Sequence, residues 1–201
     1  MKNILLQKWM LTVLFMACAL TLFGQSSYES FWKSSKQTNQ SGMIVLGSWA
    51  LLNMTVGAYG WAKQTGEDKY FHQMNFFWNT VNISIAGVAI YQNIATDSVI
   101  YTANEMLQKH ISTEKILLIN AGLDVVYVGT GFVLRALSNK SVSKKIVLAG
   151  YGKSLLLQGA FLFLFDATMY AVMHHQRLEF LKQISAVVSS DFVGLHYVHQ
   201  F

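Results

Sequence analysis

Four long apolar segments, each carrying uncharged amides, constrain this chain more than any other feature. They cover residues 42–62, 73–92, 116–137 and 146–173. A hydrocarbon core of about 30 Å needs about 20 residues of helix, and every segment reaches that length. Lipid offers the backbone no hydrogen-bond partner, so helices are the expected form. No proline occurs in the chain, which suits unkinked helices. The fourth segment is long enough to tilt or to project from the bilayer. The second is the least hydrophobic and is expected to be buried among the others. The spacing therefore predicts an all-α membrane protein, an antiparallel bundle of four transmembrane helices. Short connections on one side favour antiparallel neighbours. Charged residues make up 12% of the chain, about half the usual share in soluble proteins.

A fifth, shorter run precedes these four. Lys2 and Lys8 lead into an apolar stretch from Met10 to Phe23, followed by Gly24 and Gln25. A basic start, a short apolar core and a small residue make a cleavable signal peptide over 1–24. Two alternatives stay open: lipoprotein processing at Cys18, and retention as a fifth helix. Cys18 is the single cysteine, so cleavage leaves no thiol for disulfides, nucleophilic chemistry or cysteine metal sites. Residues 25–41 form a polar leader, either a short interfacial helix or a loose segment. The transmembrane domain spans 42–175. Residues 176–201 read as an interfacial helix and tail, because Leu178, Leu181, Ile184, Val187 and Val188 recur at helical spacing.

A cleaved signal places both mature ends outside. Lys63, Lys69, Arg135, Lys140, Lys144 and Lys145 then lie inside, against Lys33, Lys36, Lys109, Lys115, Arg177 and Lys182 outside. That balance does not set the orientation. The acid-free cluster from Arg135 to Lys145 does, placing the protein in the inner membrane with periplasmic termini. Between the second and third segments, Thr96 and Asp97 offer a helix cap; Ser112 and Glu114 offer a start for the third span.

The candidate site is a set of polar side chains inside these spans. Asn75, Asn79 and Asn82 fall at i, i+4 and i+7, one stripe of a helix. Amides do not face hydrocarbon cheaply, so the stripe turns toward protein or water. Asn53, Asn120 and Gln158 extend the set. Asp124 lies about 12 Å into its segment on a helical rise and needs a partner; Lys153, about 10 Å deep from the other side, is the expected one. Asp166, which also extends the set, shares a face with Tyr170 and His174 at i, i+4 and i+8, a spacing that offers a proton-accepting or metal-binding patch. The whole set reads either as packing hydrogen bonds or as a ligand or ion pathway.

No catalytic residue, metal site or cofactor is expected. His174 and His175 point about 100° apart on one helix and make poor joint ligands. His72 lies at the opposite membrane face, and His110 in the outer loop is the remaining partner for a haem. Gly150-Tyr151-Gly152-Lys153-Ser154 imitates the end of a phosphate loop, but Val147 stands where that loop needs glycine. No basic stripe interleaved with aromatics suggests nucleic acid. Expected partners are the lipid bilayer, other membrane proteins or a second copy.

The stretches MIVLGSWALLNM (43–54), QMNFFWNTVN (73–82), NAGLDVVYVGTG (120–131) and GYGKSLLLQGAFLFLFDATMY (150–170) resemble a family of small Bacteroidota membrane proteins that carries a domain of unknown function. The resemblance implies a signal peptide and four transmembrane helices, and brings no activity or functional residue. The expected role is a non-enzymatic scaffold or accessory subunit. The alternative is a small transporter or ion-coupled carrier using the same intramembrane groups.

Overall fold

The computed structural model describes the backbone of residues 2–96 and 99–191, with side chains placed for 27–96 and 99–185. Four helices account for nearly all of it: α1 (Lys2–Lys63), α2 (Gly66–Ala95), α3 (Ala103–Lys140) and α4 (Lys145–Asp191). No strand occurs among the described residues. Three helices are long and apolar enough to cross a membrane, within Ser27–Lys63, Ala103–Lys140 and Lys145–Ser185. α2 falls outside that group, in keeping with its place as the least hydrophobic segment.

The connections are tight. Two residues separate α1 from α2, and Gly66 opens α2 at φ 61°, a conformation that glycine adopts without a Cβ penalty. Thr102 starts α3 with a capping box: its Oγ1 accepts from the Glu105 amide at 3.3 Å, and Glu105 Oε2 accepts from the Thr102 amide at 2.8 Å. The cap expected at Thr96 is thus displaced. Thr96 instead ends α2, because only Thr102 has a glutamate three residues on to complete the reciprocal pair. Ser112 and Glu114, expected to start a span, lie well inside α3.

Helix order follows from the contacts. Along α1 and α2, Gly60 meets His72, Gly57 meets the Phe76 backbone and Gly47 meets Ala86; Asn93 Nδ2 donates to the Lys36 carbonyl at 3.3 Å. Along α3 and α4, Gly152 meets Arg135, Gly131 meets Leu156, and Gly159 meets Asp124 and Val128. The α3–α4 approach is close along three glycines. A methyl on Gly131 would come 2.9 Å from the Gly152 carbonyl oxygen, so the small residues permit near-contact of the backbones. Gly150 and Ser154 do the same toward α2.

α2 ends at Ala95 while the other three helices continue past it. The residues read as a polar leader are therefore part of α1, and 176–191 continue α4 without a break. Together with the start of α3 they form a three-helix extension. Phe31 stacks on Phe180 at 4.2 Å, Tyr28 meets Phe180 at 4.7 Å and Trp32 meets Tyr101 at 5.6 Å. Burial of Phe31, Met106 and Phe180 gives this part a small apolar core of its own. The terminal aromatic tail, 192–201, lies outside the described residues.

Candidate functional site

Two polar systems occupy the interior, and a third sits where the extension begins. The first is an amide network joining three helices. Gln158 on α4 is its hub: Oε1 accepts from the Trp49 indole at 3.0 Å, while Nε2 donates to Asn75 Oδ1 at 3.1 Å and to Asn53 Oδ1 at 3.3 Å. Ser154 Oγ donates to the same Asn75 oxygen at 2.6 Å. Asn79 Nδ2 donates to the Asn75 carbonyl at 2.8 Å, and Asn82 Nδ2 to Asn79 Oδ1 at 3.2 Å. Asn79, Ser154 and Gln158 are fully buried. Helical spacing puts the three asparagines on one face of α2, and α4 supplies Ser154 and Gln158 four residues apart to meet it. None of these five side chains leaves a fully buried polar atom without a partner. The network meets the rule that buried polar groups are hydrogen-bonded.

The second system is a carboxyl pair. Asp124 on α3 and Asp166 on α4 are both buried and face one cavity. They line a cavity of about 350 Å³ together with Asn82 and the half-buried Asn120. Lys153 is absent from this group. Its Nζ pairs with Asp68 Oδ1 at 3.1 Å and lies over the Phe71 ring at 5.2 Å, with almost half of its side chain exposed. The expected Asp124–Lys153 pair fails on register. Asp124 sits beside Gly159, whereas the level of Lys153 on α4 is that of Arg135 on α3. Six residues of α4, about 9 Å of helix, separate them.

The third system was not anticipated as a unit. Glu114, almost fully buried, accepts from Arg177 Nε at 2.8 Å and Nη2 at 3.1 Å, and meets His174 Nδ1 at 3.2 Å and His110 Nε2 at 3.1 Å. His110 is not a loop residue. It is buried in α3, with Nδ1 2.7 Å from Ser35 Oγ and Nε2 2.9 Å from the Met173 carbonyl. Both ring nitrogens are engaged by protein, which removes the availability a haem ligand needs. Tyr170 stacks on His174 at 5.3 Å, as their spacing suggests. The available signals were His110 and Glu114 four residues apart and His174 and Arg177 three apart. Spacing does not join them into one unit, because a loop-and-leader reading of the extension leaves its helix faces unpaired.

Helices of this length and apolarity, packed about a buried polar interior, define a helical bundle of the membrane-compatible class. Residues 45–167 match the Family of unknown function (DUF6992), and the chain belongs to that family. The match takes in the amide network and both carboxyl groups and stops short of the Arg177 end of the Glu114 cluster. No curated protein and no solved structure matches the chain.

Proposed function

We propose that the protein is an integral membrane protein, an antiparallel bundle of four transmembrane helices that acts as a non-enzymatic scaffold or accessory subunit. The amide network carries this reading. Its buried polar atoms are spent on one another across α1, α2 and α4, which suits holding helices in register rather than receiving a ligand. The paired contacts Gly60–His72 to Asn93–Lys36, and Gly152–Arg135 to Gly159–Asp124, support the antiparallel order. Phe77, Val81, Ile85 and Val88 stand outward on α2, each at least half exposed. This apolar face supports α2 as the fourth span despite its modest hydropathy.

The same proposal places the protein in the inner membrane of a Bacteroidota cell, with a signal cleaved after Gly24 and both mature ends periplasmic. The Arg135–Lys145 cluster at the α3–α4 turn supports that orientation. On this orientation the three-helix extension projects into the periplasm. Its partners would be other membrane proteins or a second copy, within the lipid bilayer.

Mild cross-linking in native membranes followed by purification tests the role. A stoichiometric membrane partner, or a defined homo-oligomer, is the expected result; recovery of uncross-linked single chains refutes it. The cavity reaching Asp124 and Asp166 favours a second reading, an ion-coupled carrier. Loss of a measured flux in folded Asp124→Asn would establish that alternative in place of the scaffold.

A further inference from the structure

The amide network reaches the space between α2 and α3 only at Asn82. Among the described residues these two helices have no backbone approach within 8 Å; a single ring contact, Trp78 on Tyr127 at 4.7 Å, spans the gap. The rest is the cavity of about 350 Å³, inside the range of roughly 300 to 1,000 Å³ common for small-molecule pockets. Its rim residues Val81, Ile85, Ile116 and Leu123 are exposed on the apolar flank of the bundle. A lipid-soluble molecule can therefore reach it sideways from the bilayer.

The lining is selective in charge. Asp124 and Asp166 contribute two buried carboxyl groups, and no lysine, arginine or histidine is present. Asp124 Oδ2 and Trp78 Nε1 are buried with no hydrogen-bond partner among the described residues, and both residues belong to this lining. Buried polar atoms are seldom left this way in a finished interior. Aliphatic walls suit an apolar body, and carboxylates stripped of water favour a positive charge strongly. The Trp78 and Tyr127 rings add faces that attract cations. An anion of the same shape is repelled by the carboxylates, and the unpaired Trp78 N–H is a neutral donor that does not offset them.

We infer that the cleft between α2 and α3 is a binding site for a lipophilic cation, an onium or ammonium group on an apolar body, with its charge at Asp124 and Asp166. The site meets the amide network only at Asn82, and it stands or falls independently of the scaffold role.

The test uses the full chain in nanodiscs and equilibrium dialysis of radiolabelled tetraphenylphosphonium, with empty nanodiscs subtracted. Tetraphenylborate, alike in shape and opposite in charge, is the control. Saturable binding of the cation alone is expected, weakened at least tenfold in the Asp124→Asn/Asp166→Asn double variant. Should that variant lose its monodisperse elution, Leu123→Trp serves instead, because it keeps both carboxyl groups and fills the cleft from its rim. It too should weaken binding at least tenfold. Equal uptake of both ions, no saturable uptake of the cation, or unchanged affinity in whichever variant folds would each overturn the assignment.

Discussion

Gln158 shows how much one buried amide can organise. Its side chain touches Trp49, Asn53 and Asn75, so three helices share it. Replacement by alanine removes its three bonds and strands Trp49 Nε1 in the interior. Gln158→Ala should lower unfolding free energy in detergent by about 1 to 3 kcal/mol. Gln158→Glu should do at least as much harm, because Nε2 donates to two asparagine oxygens and a carboxylate would face them as a second acceptor. Glu114 gives a parallel case. Its carboxylate is buried, but Arg177 and His174 keep part of their surface in water. Glu114→Ala is therefore expected to cost about 2 kcal/mol, below the 3 to 5 typical of breaking a fully buried pair. Chemical denaturation of wild type and variant in one detergent checks both values. The asparagine stripe was legible before the fold was known, since spacing alone puts Asn75, Asn79 and Asn82 on one face. Gln158 as the hub was not, because which amide of another helix meets that face depends on register.

Each helix carries its own local logic. α3 begins at Thr102 because Glu105 completes the capping box. Thr102→Ala should cost about 0.5 to 2 kcal/mol and speed amide hydrogen exchange at residues 103–106 ahead of the rest of the helix. The seam between α3 and α4 depends on Gly131 and Gly152, where an added Cβ on either would meet the other's carbonyl oxygen within 3 Å. Gly131→Leu is expected to force the helices apart and destabilise the bundle by about 1 to 3 kcal/mol. The same change at Gly129, which has open space around it, should be nearly neutral. Thermal unfolding of the two variants side by side distinguishes a packing effect from a general intolerance of leucine. Hydrophobic length revealed that these helices exist, yet it misjudged their ends. Apolar runs report where lipid-compatible residues stop, whereas a helix continues as long as something packs against it.

As an assembled object the protein is a four-helix bundle from which three helices run on. α2 stops at Ala95, and the ring contacts of Phe31 with Phe180 on α4 and His110 on α3 tie the remaining three together. The orientation proposed above has a direct check. In a Cys18→Ser background, Ser185→Cys should react with an impermeant maleimide in intact spheroplasts, and Ser143→Cys only after the membrane is opened. The reverse pattern would invert the bundle. Amino-terminal sequencing of the mature protein should begin at Gln25; retention of Met1 would mean an uncleaved first helix.

Hydrophobic length, amide periodicity and the absence of proline determined on their own that the chain makes long helices with a polar interior. These properties are local: each follows from residues within one segment and from what lipid denies the backbone. Pairing between segments was decided only by the tertiary structure. Helix register set Asp124 and Asp166 on one cavity and gave Lys153 to Asp68, because an offset of about 9 Å along α4 separates Lys153 from Asp124 while leaving every segment's composition unchanged.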